Sequence, residues 1–173
     1  MTSHWRHAAL SDLPAIGEIA ARIHPGLPER AEVLAEKLRL FPDGCMALAT
    51  DDAVVGYGIA HPWRLHQIPP LDDFLTQLPD DPDCLYVHDV AVLPTFRGGA
   101  TAASYIAAIT ALAKSARIGA LALVSVYETN PLWRRFGFRV VAPDAELRGK
   151  LRSYGETAKY MVCEFGDPQG AKS

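Results

Sequence analysis

The sequence predicts an α/β fold with one central mixed, mostly antiparallel and twisted β-sheet and helices on both of its faces. Two apolar runs joined by four residues predict an antiparallel hairpin, and a strong strand pattern is followed by a strong helical one. The 173 residues are 49% hydrophobic, which is enough for one sizeable core. We therefore expect a single domain over residues 1–166 and a disordered tail over residues 167–173.

The first half of the chain predicts one strand, two helices and the hairpin. Pro25-Gly26 separates the two helical patterns, and Pro42-Asp43-Gly44 ends the second. Residues 62–83 are rich in Pro and Asp and predict an irregular surface insertion, with a helical turn around residues 74–78. The predicted elements are a strand over 4–10, helices over 13–23 and from Glu29, and strands over 45–49 and 54–60.

The second half predicts two further helices between four strands. The run LYVHDVAVL carries the strongest strand signal, and the continuous apolar run over 120–126 is typical of a strand buried on both faces. Gly137 suits the left-handed position that ends a helix. The predicted elements are strands over 85–93, 120–126, 138–141 and 159–165 and helices over 100–116 and 131–136.

Composition excludes several classes of protein. No run approaches the roughly 18 apolar residues of a membrane span, and the first residues lack the pattern of a secretory signal, so we expect a cytoplasmic protein with no membrane partner. The three isolated cysteines predict buried reduced thiols rather than a disulfide framework. Cys84 and His88 would stand roughly 13 Å apart along a strand, so we predict no metal site.

Charge is distributed unevenly although the net charge is only −3. Residues 1–96 contain 14 acids and 6 Lys/Arg, whereas residues 97–173 contain 6 acids and 11 Lys/Arg. A basic half would suit a polyanionic cofactor and an acidic half a cationic substrate, while chance distribution over a solvated surface explains the asymmetry equally well. No strongly basic run exists, so we expect no nucleic-acid partner.

One segment combines a strand, a glycine turn and an alanine-rich helix. Arg97 and the Gly98-Gly99 pair precede the slim first helical turn, where unpaired backbone N–H groups and a partial positive charge favour an anion. The glycines permit positive φ and close approach of a ligand, so a pyrophosphate would fit the turn. The turn is neither a P-loop nor a GxGxxG dinucleotide motif.

Two ordered blocks resemble the GNAT acetyltransferase superfamily. The run VAVLPTFRGGATA, residues 90–102, is similar to that family's strand and pyrophosphate loop, although Ala100 replaces the usual middle glycine. The run NPLWRRFGF, residues 130–138, resembles the family's later block, which ends in Gly-Phe. The likeness and the element order cover most of residues 4–165 and imply the GNAT acyl-CoA N-acyltransferase fold.

The resemblance implies acetyl-coenzyme A as cosubstrate, without a metal. The strand backbone would pair with the pantetheine arm, the loop amides would hold the pyrophosphate, and residues after the next strand would contact the cofactor. Arg134 or Arg135 could also reach a phosphate, or be solvated. The implied cofactor-binding residues are Val90, Ala91, Val92, Arg97, Gly98, Gly99, Ala100, Thr101, Ala102, Asn130 and Trp133.

The implied activity is transfer of the acetyl group to a primary amine of a small molecule or a peptide. The amine must lose a proton, and His88 and Asp89 are the predicted groups to orient or deprotonate it. Alternation along a strand predicts that they point to opposite faces, with His88 in register with Val90 and Val92. A hydrogen-bonded core histidine is an equally weighted interpretation of His88.

The sequence leaves open which group protonates the departing thiolate. The family's usual tyrosine acid is replaced by Trp133, whose indole N–H is no practical acid. Tyr127 is the first candidate to replace this acid, and the other interpretation of Tyr127 is a tyrosine that only packs. Tyr154 and solvent are further candidates for the acid. The alternative function is a catalytically weak acyl-CoA-binding module with a regulatory or assembly role, and a homodimer stays open.

Overall fold

The computed structural model describes residues 2–166, so the tail predicted over 167–173 lies outside the described residues. The strands are β1 (His4–His7), β2 (Cys45–Ala49), β3 (Val54–Trp63), β4 (Cys84–Val92), β5 (Ala120–Ser125), β6 (Arg139–Val140) and β7 (Lys159–Glu164). They form one sheet in the order β1-β2-β3-β4-β5-β7-β6. Every neighbouring pair is antiparallel except β4 and β5, which are parallel, so the predicted mixed, mostly antiparallel sheet is confirmed.

Helices cover both faces of this sheet, as the apolar patterns predicted. The helices are α1 (Leu13–Ile23), α2 (Ala31–Leu40), α3 (Gly99–Ser115), α4 (Asn130–Arg134) and α5 (Ala145–Leu151). Apolar side chains of α1 and α2 pack with Tyr57 and Ile59 of β3 on one face. Tyr105 and other apolar residues of α3 pack with Leu121 and Leu123 of β5 on the opposite face.

Gly58 allows α3 to lie close to the sheet. A Cβ atom at this position would stand 2.2 Å from the Tyr105 ring, which a real side chain does not tolerate. The aromatic ring therefore rests directly on the backbone of β3, and Tyr105 is fully buried. This contact positions the N-terminal half of α3 beside β4, where the sheet opens.

Two predictions about local structure were incomplete. Helix α5 was not predicted, although Asp144 caps it by accepting a hydrogen bond from the Leu147 N–H at 2.8 Å. The connection from β3 to β4 over residues 64–83 is irregular, as predicted, but contains no helical turn. It is also not confined to the surface, because Ile68 and Leu75 are only 2% and 8% exposed.

Gly137 and two of the three cysteines have the local environments that the sequence predicted, whereas Cys163 is only partly buried. Gly137 has φ +89° after α4, the left-handed conformation predicted there. Cys45 and Cys84 are buried free thiols, and burial raises the pKa of each to about 12. Over residues 2–166, no helix is both long and apolar enough to cross a membrane.

Candidate active site

The sheet opens between its two parallel strands. β4 and β5 pair only from Leu85 opposite Leu121 to Val87 opposite Leu123. Beyond Val87, β4 remains paired with β3 while β5 remains paired with β7, so the two strands diverge. A cavity of about 910 Å³ lies at this divergence. Val90, Ala91 and Val92, the segment expected to pair with pantetheine, all line it.

One end of the cavity is formed by the start of α3. Arg97, Gly98, Thr101 and Ala102 line the cavity, while Ala100 is not among its lining residues. The exposed Arg97 is oriented by a hydrogen bond from its Nε to the Val92 carbonyl oxygen at 2.8 Å. Arg135 also lines the cavity and adds a second cation. We call this the phosphate end, because helix N-terminal amides and two guanidinium groups suit a polyanion.

The glycine turn does not use at Gly98 the positive φ that glycine permits. Gly98 has φ 179°, an extended conformation open to any residue. Gly98 leaves open the space beside the cavity, because it has no side chain. A Cβ atom here would have no atom within 4 Å and would project into that space. The first helical turn is held by Trp5 of β1, whose indole Nε1 donates to the Thr101 carbonyl at 3.1 Å.

The second block lies only partly at the cavity. Asn130 begins α4 and is not among the cavity-lining residues, whereas its neighbours Thr129 and Leu132 are. Trp133 lines the cavity but is 8% exposed, and its ring packs edge-on against Phe138. Its Nε1 donates to the Thr129 hydroxyl at 3.3 Å. The indole N–H thus has an internal partner, in agreement with its exclusion as an acid.

A β-bulge at His88 changes the predicted orientation of the β4 side chains. Ala60 of β3 pairs with Val87 and Ile59 pairs with Asp89, so His88 is the extra residue. The bulge interrupts the alternation that sequence spacing assumes. His88 and Asp89 therefore both lie on the face that α1 and α2 cover, and the prediction of opposite faces is wrong. His88 is also out of register with Val90, which packs on the α3 face.

Asp89 is held in a network with two partners that spacing along the chain does not reveal. One carboxylate oxygen accepts a short hydrogen bond from the Tyr57 hydroxyl, and the other lies 3.1 Å from Nε2 of His24. His24 ends α1, and both it and Asp89 line the cavity. Burial lowers the pKa of His24, but the hydrogen bond and charge of Asp89 outweigh this effect, so the pKa is raised.

The neighbours of His24 also select its tautomer. Besides Asp89, the Val90 carbonyl oxygen lies 3.4 Å from Nε2. Both groups are hydrogen-bond acceptors, so Nε2 carries the proton and Nδ1 of the neutral ring carries the lone pair. Nδ1 is buried and has no hydrogen-bond partner within residues 2–166. The carboxylate behind the ring stabilises the imidazolium that forms when Nδ1 accepts a proton.

Tyr127 lies at the end of β5, on the opposite side of the divergence from β4. Its ring stacks on the His24 ring with centroids 5.7 Å apart, and the side chain lines the cavity. Tyr127 and Glu128 have φ +51° and +58°, a strained conformation for residues with side chains. The strain turns a half-exposed phenol towards the cavity, next to the imidazole.

The other end of the cavity contains a buried pair of ionisable groups. His88 Nε2 lies 2.8 and 3.0 Å from the two carboxylate oxygens of Glu29, and the two side chains are 0% and 7% exposed. The His61 ring lies behind them, with its pKa lowered to about 3 by burial and by His88. Glu29, His88, Leu27, Leu71 and Tyr154 line this part of the cavity, which we call the acceptor end.

Some of these residues were not predicted. His24, Glu29 and Tyr57 carry no local motif and reach the site through contacts over long distances along the chain. The helix-breaking Pro25-Gly26 marked where α1 ends but gave no chemical role to the histidine before it. Over residues 2–166, no group of three or more His, Cys, Asp or Glu side chains has a metal-binding arrangement.

Known proteins resemble this chain in fold. Ard1 from Thermoplasma volcanium has a TM-score of 0.70 at 13% identity, covering 96% of this chain and 100% of that chain. The ribosomal-protein-S18-alanine N-acetyltransferase from Escherichia coli gives 0.67 at 14% identity, covering 99% of both chains. The GphF GNAT-like decarboxylase in complex with isobutyryl-CoA gives 0.70 at 18% identity, covering 93% and 98%.

These identities establish the fold alone, and the fold is used by a decarboxylase as well as by acetyltransferases. No curated protein matches the chain. The model of the Acetyltransferase (GNAT) family matches residues 13–138, which is more than half of the chain and includes α1, β4 and the loop before α3. The chain therefore belongs to the GNAT acetyltransferase family, as the two sequence blocks predicted.

Proposed function

We propose that the protein transfers the acetyl group of acetyl-CoA to a primary amine. One observation carries the proposal: a single cavity joins the cationic phosphate end to the Asp89–His24 pair. A GNAT decarboxylase or a simple binding module does not require a base supported by a part-buried carboxylate at this place. An amine acceptor does, because an amine with a pKa near 10 is protonated at neutral pH and does not attack a thioester.

The residues of the phosphate end fit coenzyme A. N-terminal amides of α3 and the guanidinium groups of Arg97 and Arg135 provide donors and positive charge for its phosphates. Beyond Val87, the edge of β4 that faces β5 has no strand partner, so backbone groups there can pair with the amides of pantetheine beside the contacts that Arg97 makes to the Val92 carbonyl and His24 to the Val90 carbonyl. Acetyl-CoA supplies an activated thioester when it is bound at this edge.

We assign His24 as the general base, because its ring lines the cavity and is paired with Asp89. The neutral ring accepts the proton of the ammonium group, and Asp89 stabilises the resulting imidazolium. The freed nitrogen lone pair forms the new bond to the carbonyl carbon, and the bond from that carbon to sulfur breaks. Tyr127 is the group we assign to protonate the departing thiolate, because its half-exposed side chain lines the cavity while the Trp133 N–H is engaged. The second proton that the acylated nitrogen loses restores the phenol. Asn130 remains a proposed cofactor contact.

The runner-up function is an acyl-CoA-binding module with weak catalysis. The observation that favours it is Trp133, which occupies the place of the family's usual tyrosine. Isothermal titration with acetyl-CoA, followed by a thiol-release assay over a panel of amines, separates the two functions. We expect binding and amine-dependent release of thiol. Binding without release at any amine concentration would reject transfer and leave the module.

Location and assembly also remain proposals. The cytoplasm supplies acetyl-CoA and keeps the buried cysteine thiols reduced, which supports a cytoplasmic location. A homodimer is likewise a proposal, and oligomeric state in solution is the measurement that tests it.

A further inference from the structure

The connection from β3 to β4 over residues 64–83 forms one wall of the acceptor end. Leu71 of this segment lines the cavity together with Leu27 and Glu29 from the α1–α2 connection and Tyr154 from the connection between α5 and β7. Three separate connections therefore meet around the Glu29–His88 pair. The wall is apolar apart from this buried pair and the Tyr154 hydroxyl.

The segment is tied to α2 by polar contacts. The Arg30 guanidinium pairs with the Asp72 carboxylate, Nε to Oδ2 at 3.1 Å, and the Arg30 N–H donates to the same carboxylate at 2.8 Å. The Glu36 carboxylate accepts hydrogen bonds from the backbone N–H groups of Leu75 and Thr76 at 2.6 and 3.1 Å. These contacts hold the first side of the wall against the helix.

The same segment is tied to the opposite side of the acceptor end. The Tyr154 hydroxyl donates to the Pro69 carbonyl oxygen at 3.0 Å, and the Tyr160 hydroxyl accepts from the His66 N–H at 2.9 Å. Ile68 is buried between them among apolar residues of β4, β5 and α5. Residues 64–83 thus bridge α2 and the α5–β7 connection, so that the acceptor end is walled on both sides.

The chemistry of this end favours a cation with a short apolar body. Glu29 is an almost buried carboxylate, and its surroundings include Asp72 and Asp73 as well as the buried Lys37. His88 Nδ1 is buried without a hydrogen-bond partner within residues 2–166. A primary ammonium group offers three donors and a positive charge, which suits the Glu29 carboxylate, while Leu27 and Leu71 offer contact to carbon.

We propose that the acceptor end is a subsite for a small, free cationic amine and that residues 64–83 exclude an extended peptide. The proposal rests on the acetyl-transfer function above and decides between the two acceptor classes that the sequence left open. A peptide N-terminus is followed by a chain that must leave the site, and the bridge from α2 to the α5–β7 connection stands on the side of the acceptor end where we place that exit. Glu29 is the recognition residue, and Leu71 sets the length of the amine.

The test measures binding, so that it does not depend on turnover. Protein saturated with coenzyme A is titrated by calorimetry with n-butylamine, phenethylamine and a tetrapeptide with a free N-terminal amine. We expect the small amines to bind at least tenfold more tightly than the tetrapeptide and Glu29→Gln to weaken them about tenfold. Glu18→Gln, an exposed change on α1, is the matched control and should bind like the wild type.

A second variant keeps the test independent of folding defects. Leu71→Ala lengthens the subsite, so we expect affinity to shift towards longer amines while the affinity for coenzyme A stays the same. Tetrapeptide binding as tight as that of the small amines, or no binding of any amine, overturns the subsite. Amine binding with no thiol release from acetyl-CoA would instead reject the transfer reaction and leave the subsite in place.

Discussion

The two ends of the cavity are built in different ways. Apart from Arg135, the phosphate end is local, since its residues lie between Arg97 and Ala103 at one helix start and offer backbone amides and the exposed Arg97. The acceptor end is assembled from partners such as Glu29 and His88, 59 residues apart, and Pro69 and Tyr154, 85 residues apart. A local site distributes binding over many weak contacts, whereas an assembled site depends on single buried side chains. Substitutions should therefore affect the two ends to different degrees.

The largest effect is expected at Asp89, which connects the two ends. Asp89→Asn removes the charge behind His24 but keeps the size of the side chain. We expect thiol release at saturating amine to fall by about 10²–10³-fold, the usual worth of a general base, and the dissociation constant for acetyl-CoA to stay within about twofold. Steady-state kinetics and calorimetry measure the two quantities.

The control for this variant is Asp52→Asn, an exposed change in the turn between β2 and β3. It should leave both quantities at the wild-type value. Wild-type turnover in Asp89→Asn would show that the carboxylate supports no base, and an equal loss of acetyl-CoA affinity would show that the two ends are not separable.

A smaller effect is expected at the phosphate end. Arg97→Glu replaces a cation beside the start of α3 with an anion, so we expect acetyl-CoA to bind about 10- to 100-fold more weakly, with little change in turnover at saturation. The affinity measured by calorimetry should also lose part of its salt dependence. Arg22→Glu, an exposed charge reversal on α1 outside the cavity, is the matched control. Equal affinities in the two variants would reject the phosphate end.

The difference between the ends also explains what the sequence could predict. Strands, helices and the loop from Arg97 to Ala102 depend on patterns within a few residues. The fold and the phosphate end could therefore be predicted from the sequence. His24 and Glu29 acquire a chemical role only by contacting Asp89 and His88, respectively. Contacts between residues so far apart in the chain leave no local signal in the sequence. Their proximity follows from the packing of α1 and α2 on β4, which periodicity does not specify.

Backbone irregularities account for the other differences. The extra residue at His88 placed His88 on the face of Asp89 instead of the predicted face of Val90 and Val92, because alternation assumes a regular strand. Helix α5 did carry a signal, with Asp144 at its N-cap, Glu146 in its first turn and Arg148 and Lys150 in its last turn. Its short length hid that signal among the surrounding polar residues.

Weakening the attachment of residues 64–83 to α2 should reduce the stability of the fold modestly. Glu36→Ala leaves the backbone N–H groups of Leu75 and Thr76 without an acceptor, so we expect the free energy of unfolding to fall by about 1–2 kcal/mol. Urea denaturation measures this loss, and hydrogen exchange at the two amides should accelerate. Glu32→Ala, an exposed change on the same helix, should cost less. Equal losses in both variants would contradict a specific attachment of the segment.

The smallest effect is a change in titration that leaves the fold intact. The pKa of His24 lies above its ordinary value of 6.5, because the Asp89 hydrogen bond and charge and the Val90 carbonyl together outweigh burial and the repulsion from Arg97. Because the neutral ring is the base, turnover should rise with pH through this raised pKa. The same shift stabilises the fold below the unfolded pKa, and that contribution disappears as pH rises through the folded one. In Asp89→Asn burial remains while the carboxylate is lost, so NMR titration of the imidazole should give a pKa below 6.5. An unchanged titration would mean that Asp89 does not control His24, and the base would then have to be sought at the Glu29–His88 pair.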